Sequence, residues 1–569
     1  ATKNLQDQLF FNDIPKIREA LKISVKVNIL KGRGNYICKL RMENTIQEGM
    51  FFNKEDAQHL HLIKAFSDNT DSGEVSEISE IPETSTIWPM VTSTKENCLG
   101  QDCEFYKECF LVKARKEALE SEVLIVNHHL FFADFVLKDE ELSEILPKAN
   151  TIIFDEAHQI PLVASFFLGQ SISSSQISNL IQDCQQGLKK YPDTIKVLDA
   201  LSKDFQEIVF ELKKIVSPFP ARLNINNLKN YENFEKTYNS LIEKLELLGI
   251  TLSKHSEENA ELQKLFERSS ELNIRFSSWL KKDNQNNIYW LEVFARTVQF
   301  NETPISISEQ FNKFQEKSDS AWIFTSATLS INGSFDHFVK LLGLEKAMTQ
   351  YLQSPFNYSE NAFLYVPKEI PDSKDELFNL VLVKKALPLI KASKGRAFVL
   401  ATSLKSMEEI GALLKDELKK NEINYPVITQ GEGPKSDLLQ QFKKHGNAIL
   451  IGSLSFWEGI DVRGPALSLV IIDKLPFQSP GDPVFESKIK LLSEEGINAF
   501  MSMQLPEAII RLKQGVGRLI RDDHDKGVMV ICDKRIIEKS YGIKIWKSLP
   551  PFKRTRNESA VINFLEELE

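Results

Sequence analysis

The feature of this sequence that most constrains the fold is a short apolar run that ends in two adjacent carboxylates. Residues 151–154 (TIIF) are β-branched and aromatic, which is typical of a buried parallel strand, and Asp155 and Glu156 follow at once. In α/β proteins the carboxyl ends of such strands carry ligand sites. There, Asp155 is suited to hold Mg²⁺ and Glu156 to orient or deprotonate a water in a metal–phosphate reaction. A strand followed by an acidic turn explains the same residues, so the rest of the chain must decide.

Length and composition narrow the class of protein. A chain of 569 residues is too long for one hydrophobic core and predicts roughly three to four domains. The net charge of −9 excludes a protein coated in basic charge, although a local basic groove for nucleic acid remains compatible with it. No apolar run approaches the ~20 residues that span a bilayer, and no signal-peptide pattern opens the chain. Six cysteines are too few for a disulfide scaffold, so we expect a reducing, cytoplasmic location.

Strands alternate with helices in two parts of the chain. Downstream of residue 362 the apolar runs lie at 397–401, 448–451, 467–472 and 528–532. This alternation predicts a mostly parallel sheet with helices on both faces, and enough strands precede residue 345 for a second sheet. Between 160 and about 300, apolar residues recur at helical spacing, which predicts a helical insertion without chemistry of its own.

A second candidate cluster lies near the carboxyl terminus. On a helix, Gln514, Arg518 and Arg521 would share one face, and guanidinium groups match the oxygens of phosphate. Gly515 and Gly517 inside such a helix each cost on the order of 1 kcal/mol, which suggests a need for close backbone approach. The alternative is a solvated basic helix face.

A third cluster follows the predicted strand at 448–451. Residues 452–461 form a Gly- and Ser-bearing loop with Glu458, Gly459 and Asp461. Backbone N–H groups of such a loop can meet phosphates, and its acids can meet a ribose or a metal. Taken alone, this pattern is a weak indication of function.

Four cysteines form a candidate metal site. Cys98, Cys103 and Cys109 are closely spaced, and Cys38 lies upstream. Four thiolates suit either tetrahedral Zn²⁺ or a [4Fe–4S] cluster. The spacing is looser than in many structural zinc sites and favours iron–sulfur, but it leaves zinc open.

Four segments, in chain order, resemble the motifs of superfamily 2 helicases. They are 155–158 (DEAH), 325–328 (TSAT), 457–461 (WEGID) and 514–521 (QGVGRLIR). The cysteines ahead of the acidic segment narrow the resemblance to the iron–sulfur helicases of the XPD and DinG type. The likeness is greatest to the bacterial YoaA branch, and it covers essentially the whole chain. It is carried by 97–100 (NCLG), 109–116 (CFLVKARK), 126–131 (VNHHLF) and 475–477 (LPF).

The resemblance implies a domain organisation. The fold would be α/β, with two RecA-like parallel-sheet motor domains, the first interrupted by an iron–sulfur insertion and a helical arch insertion. Motor domain 1 would comprise 1–37, 113–160 and 301–345, and motor domain 2 would comprise 346–569. The iron–sulfur domain would span 38–112 and the arch domain 161–300.

The resemblance also implies an activity. The chain would be an ATP-dependent helicase that is not bound to membranes and acts as a monomer. It would move 5′→3′ on single-stranded and forked DNA in repair or replication. One strand would pass through a ring formed by the insertions, held mainly through its phosphates.

Residue roles follow from the same resemblance. Asp155 would hold Mg²⁺, Glu156 would activate water, and His158 would couple the nucleotide to the motor. Residues expected to bind ATP from the second motor domain are Gly459, Asp461, Gln514, Arg518 and Arg521. Cys38, Cys98, Cys103 and Cys109 would hold the [4Fe–4S] cluster.

One expected motif is missing. A phosphate-binding P-loop needs Gly-x₄-Gly-Lys-Ser/Thr, and none of the 24 glycines is followed by lysine. In the family this loop precedes a segment like residues 1–9, so we expect the chain to start downstream of it and, as it stands, not to hydrolyse ATP. A DNA-binding scaffold with a non-functional motor is the alternative, against which the intact acidic pair argues. For a cluster-bearing nuclease we find no further set of carboxylates.

Overall fold

A computed structural model defines the fold. It describes residues 3–49, 54–83, 85–139, 145–217, 219, 221–258, 260–453, 456, 462, 464–478 and 481–568. The chain divides into two compact units. Unit 1 comprises 1–154, 159–323 and 481–488, and unit 2 comprises 155–158, 324–480 and 489–569.

The strands of unit 1 form three small sheets. They are β1 (Val27–Ile29), β2 (Val123–Ile125), β3 (Thr151–Phe154), β4 (Gln170–Ser173), β5 (Arg222–Asn224), β6 (Asn287–Val293), β7 (Val298–Pro304) and β8 (Ala321–Phe324, whose last residue belongs to unit 2). β1 pairs with β2 in parallel, and β3 neighbours β8. The remaining four make an antiparallel sheet in the order β4-β7-β6-β5.

Helices make up most of unit 1. They span Lys3–Gln8, Ile14–Leu21, Lys39–Glu48, Lys54–Ser67, Trp88–Val91, Phe110–Leu119, His128–Asp139, Ile160–Leu168, Ser174–Gly187, Pro192–Val216, Tyr231–Ser253, Ala260–Lys281 and Ser308–Lys317. The four helices from Ser174 to Lys281 share one core around Tyr238, Phe276 and Phe300, which are fully buried. Their apolar residues recur at helical spacing, as the sequence predicts.

The antiparallel sheet inside this helical segment was not predicted from the sequence. β6 and β7 carry polar residues at several positions, and their burial does not alternate strictly. Helix packing holds the sheet in place, since the Trp279 indole N–H donates to the Asn301 carbonyl at 3.0 Å. Tertiary contacts therefore determine these strands more than a local pattern does.

Unit 2 is built on a seven-stranded sheet in which all neighbours are parallel. Its strands are β9 (Ala362–Tyr365), β10 (Ala397–Ala401), β11 (Val427–Thr429), β12 (Ile449–Ser453), β13 (Leu469–Ile472), β14 (Gly527–Ile531) and β15 (Lys553–Thr555), in the order β11-β12-β10-β13-β14-β9-β15. The four strands predicted downstream of residue 362 correspond to β10, β12, β13 and β14.

Helices cover both faces of this sheet. They span Asp336–Leu342, Tyr358–Asn361, Phe378–Ala392, Leu404–Lys420, Lys435–His445, Leu505–Val516, Arg535–Glu538, Gly542–Ser548 and Glu558–Glu566. Along β10, Phe398 and Leu400 join one hydrophobic core, whereas Ala397, Val399 and Ala401 join the other. Burial on both faces explains why the strand is apolar throughout. The predicted α/β class with parallel sheets is confirmed.

Candidate nucleotide site

The acidic segment and the end of β8 are joined by hydrogen bonds. The Ala157 N–H donates to the Thr325 carbonyl at 3.0 Å. The Thr325 hydroxyl donates to Asp155 Oδ1 at 3.2 Å. The Ser326 hydroxyl likewise donates to Glu156 Oε2 at 3.2 Å. Two of the motif-like segments predicted from the sequence therefore form one site within unit 2.

His158 lies at the centre of this site. Its Nδ1 is 3.0 Å from Ser326 Oγ, 3.2 Å from Thr328 Oγ1 and 3.3 Å from Glu156 Oε2. Its Nε2 is 2.5 Å from the side-chain nitrogen of Gln514. The Gln514 amide N–H can donate to Nε2, and an N–H at Nδ1 can then donate to the hydroxyls or to the Glu156 carboxylate. The site thus brings together Asp155, Glu156, His158 and Gln514, all predicted as functional residues.

Glu156 is held as a carboxylate. The hydrogen bond with His158 is the largest cause that lowers the Glu156 pKa, with burial opposing it and Ser326 and the Arg518 charge assisting. The Glu156 backbone has φ of 49°, in the left-handed region that costs a non-glycine residue of order 1 kcal/mol. Strain of this kind concentrates at functional sites, where it fixes the direction of a side chain.

The three residues predicted to share one helix face do not all lie on a helix. The helix Leu505–Val516 contains Gln514 and ends before Gly517, so Arg518 lies in the turn that follows and Arg521 in the irregular segment after it. The prediction of a continuous helix was wrong. Because glycine stabilises a helix interior poorly, the chain leaves the helix at Gly517. The Arg521 N–H donates to the Asp525 carboxylate at 2.9 Å, which fixes the backbone of this segment.

Two carboxylates at the ends of unit 2 strands were missed. Asp473, directly after β13, is fully buried and accepts from the Thr402 N–H at 3.0 Å and the Ser406 hydroxyl at 3.1 Å. Burial raises its pKa to about 6. Asp533, after β14, forms an ion pair of 2.6 Å with Arg535. Each acid follows a wholly apolar run, the same signal that singled out Asp155.

Part of the predicted nucleotide site cannot be compared with the structure. Gly459 and Asp461 lie outside the described residues.

The four cysteines lie in one part of unit 1. Cys38 and Cys109 directly precede the helices Lys39–Glu48 and Phe110–Leu119, and all four cysteines are free and partly buried. Burial raises the pKa of the Cys38 thiol, and the nearby Cys98 and Cys103 act in the same direction. Over the residues that the structure covers, no three His, Cys, Asp or Glu side chains converge closely enough to hold a metal ion. Burial likewise raises the pKa of Cys103, and Cys98 and Cys109 act in the same direction, so the four thiols lie in one region of unit 1.

The described helices include none that is both long and apolar enough to cross a bilayer.

Comparison with known proteins identifies the family. Residues 386–552 match the helicase C-terminal domain family. The chain is 40% identical to the ATP-dependent DNA helicase YoaA of Haemophilus influenzae, over 99% of this chain and 88% of that protein. It is 28% identical to the ATP-dependent helicase DinG of Mycobacterium tuberculosis, over 99% of this chain and 86% of that protein. A solved XPD helicase structure, 17% identical, shares the fold with a TM-score of 0.55 over 95% of this chain and 89% of that one. The chain belongs to the family of DNA helicases that includes YoaA and DinG.

Proposed function

We propose that this protein is an ATP-dependent DNA helicase that translocates 5′→3′ on single-stranded DNA and acts in repair or replication. The observation that carries the proposal is the hydrogen-bonded connection from Glu156 through His158 to Gln514. Family membership supports ATP-dependent helicase activity. The hydrogen bonds from Glu156 through His158 to Gln514 support a motor in which hydrolysis and movement are linked. A scaffold with a non-functional motor would have no use for so closely arranged a set of polar groups.

Within this proposal, Glu156 orients and deprotonates the water that attacks the γ-phosphate. Its lowered pKa keeps the side chain ionised, which a general base requires. Asp155, whose Oδ1 is held by the Thr325 hydroxyl, would hold Mg²⁺. When bound, that ion supplies neutralisation of phosphate charge.

Gln514 and the two arginines have the complementary role. Arginine forks can stabilise the charge that develops on a transferring phosphoryl group. Arg518 already contributes to lowering the Glu156 pKa, so its charge acts on the hydrolytic site. We assign Arg521, Gly459 and Asp461 to nucleotide binding on the family resemblance. His158 would report the state of the nucleotide through the amide of Gln514.

We further propose that the cysteines hold a [4Fe–4S] cluster. Four thiolates are the right donors for it, and Cys38 and Cys109 each stand directly before the first turn of a helix in unit 1. The segment 38–112 would then be an iron–sulfur domain and 161–300 an arch domain, inserted between the parts of motor domain 1 at 1–37, 113–160 and 301–345. Residues 346–569 would be motor domain 2, and the protein would act on forked DNA as a monomer.

The cluster has a direct test. The purified protein should be brown and contain iron, and Cys103→Ser should remove both the colour and the iron. Cys184→Ala is the control, because Cys184 is buried in the helical core and is not among the four candidate ligands. A colourless wild-type protein that contains zinc would reject the cluster.

Polarity is tested with tailed duplexes. The protein expressed from its complete coding sequence should unwind, with ATP, a duplex that carries a 5′ single-stranded tail and leave one with a 3′ tail intact. Unwinding of the 3′-tailed duplex alone would contradict the polarity. DNA binding without ATP turnover would favour the scaffold.

A further inference from the structure

One helix contains residues of both units. The helix Pro483–Glu494 starts in unit 1, to which residues 481–488 belong, and its remainder belongs to unit 2. The chain on either side, 324–480 and 489–569, is part of unit 2. The eight residues 481–488 therefore belong to unit 1, although the chain before and after them belongs to unit 2.

Within unit 1, these residues meet β5 and the turn after it. The side chains of β5 and its turn donate three hydrogen bonds to the helix: Arg222 to Asp482 at 3.2 Å, Asn224 to Ser487 at 2.9 Å and Asn227 to Glu486 at 3.3 Å. Asp482 and Glu486, at i and i+4, lie on the same side of the first helical turn, and Ser487 follows directly. The contact is thus a matched set of donors and acceptors.

Arg222 is oriented for this contact by its own sheet. It lies directly opposite Glu292 in the β5–β6 register, and its Nε donates to that carboxylate at 2.9 Å. Its guanidinium is 5.5 Å from the centre of the Trp290 ring. With Nε bound to Glu292, the Nη1 group is directed to Asp482.

Asp482 has two functions in the contact. Its Oδ1 accepts from the N–H groups of Val484 at 3.1 Å and Phe485 at 2.9 Å, so it caps the helix. Its Oδ2 pairs with Arg222. The residue that starts the helix is therefore the one that attaches it to the sheet.

The contact is suited to pass a displacement on. Its hydrogen bonds join polar side chains, of which Arg222 is 50% exposed, and Pro483 and Phe485 of the same segment are buried. The helix has 12 residues, about 18 Å of regular hydrogen-bonded structure, so a displacement at its unit 2 end reaches its first turn.

We propose that Asp482, Glu486 and Ser487 are positioning residues that couple movement of unit 2 during the ATP cycle to the antiparallel sheet of the insertion. This inference rests on the proposed helicase function. Among the described residues, the hydrogen bonds of these three side chains go to β5, its turn and their own helix, so their effect on strand separation would be transmitted through the helix.

The test breaks the contact while preserving the helix. The variant combines Asp482→Asn, Glu486→Ala and Ser487→Ala; asparagine at position 482 retains an oxygen that caps the helix. In protein expressed from the complete coding sequence, we expect DNA-stimulated ATPase to stay within about twofold of wild type while duplex unwinding falls about tenfold. Equal losses of both activities, or unchanged unwinding, would overturn the proposal.

A control variant changes the same helix beyond the contact. Lys490 and Glu494 form an exposed pair at 4.0 Å, and replacing both with alanine should leave ATPase and unwinding unchanged. A loss of unwinding in this control would show that any change of charge on the helix has the same effect, and the proposal would fall.

Hydrogen exchange provides a readout that does not depend on unwinding. In the wild type, exchange at residues 222–227 should change when a non-hydrolysable ATP analogue binds, and in the triple variant it should not. An identical response in both proteins would overturn the coupling. A wild type without ATPase would instead reject the proposed function, and with it any coupling to ATP.

Discussion

At the scale of single residues, His158 determines how the acidic pair is held. Its Nδ1 lies close to Glu156, Ser326 and Thr328, and its Nε2 meets Gln514. Because both ring nitrogens are engaged, rotation of the ring would break contacts on both sides. The imidazole therefore fixes both the direction and the ionisation of the neighbouring carboxylate.

His158→Ala should change the pH dependence of ATP hydrolysis. Since the hydrogen bond from His158 is the main cause of the lowered Glu156 pKa, its loss raises that pKa. Glu156 then becomes ionised only at higher pH, so the acid limb of the kcat profile should move to higher pH. Thr328→Val is the comparison, because it leaves the two direct partners of Glu156, His158 and Ser326, in place and should move the acid limb less. An acid limb that stays in place would contradict this account of the site.

Asp473→Asn should flatten the pH dependence of stability. The Asp473 pKa is about 6 in the fold against 3.8 ordinarily, so between these values the folded state binds more protons than the unfolded state. As pH rises from about 4 to 6, the contribution of Asp473 to the free energy of unfolding must then fall by at most about 3 kcal/mol. Above pH 6 this contribution stays level. Urea unfolding of both proteins across this range should show that the free energy of unfolding of the variant increases relative to that of the wild type as pH rises. Parallel curves would refute the prediction.

Some of these residues could be predicted from the sequence and others could not. Asp155 and Glu156 are recognisable because two carboxylates directly follow an apolar strand. Asp473 also follows such a run, but nothing in a single sequence shows that it is buried with several donors around it. The contact between His158 and Gln514 joins residues 356 positions apart, so only the folded chain can bring it out.

At the scale of elements, local sequence patterns predict strands correctly where both faces of the strand are buried. The strands of the parallel sheet are apolar on both faces, and the predicted runs match β10, β12, β13 and β14 closely. The strands inside the insertion are shorter or more polar, and their existence depends on packing against helices. The helix Leu505–Val516 was predicted to continue to Arg521, because the spacing of Gln514, Arg518 and Arg521 was given more weight than the helix-breaking tendency of Gly517.

Gly395→Ala tests the link between the helix Phe378–Ala392 and β10. Gly395 has φ of 91°, and an added Cβ would lie 2.1 Å from the Asn447 carbonyl oxygen. The backbone of the neighbouring segment would have to shift, so we expect a loss of at least ~3 kcal/mol of unfolding free energy, or failure to fold.

Gly446→Ala is the matched control. Gly446 has φ of 67° but open space around its Cβ position, so only the left-handed conformation is penalised, by about 1 kcal/mol. Chemical denaturation of the two variants separates the effects. Equal losses would show that the close approach at Gly395 relaxes without cost.

At the scale of the whole molecule, the division of the chain follows the chemistry. The first segment of unit 1 ends after Phe154, and the acidic segment 155–158 belongs to unit 2, where Gln514 also lies. The chain crosses between the units again at 323–324 and around 481–488. A motor needs such crossings, since hydrolysis in one place must produce movement in another.

The central claim is that ATP hydrolysis at Glu156 drives the separation of DNA strands. The most direct measurement compares the wild type, expressed from its complete coding sequence, with Glu156→Gln in DNA-stimulated ATPase and duplex unwinding. Glutamine keeps the size of the side chain but cannot accept a proton from water, so both activities should fall by roughly 100-fold or more while DNA binding persists. A Glu156→Gln protein that unwinds DNA at the wild-type rate would contradict the account.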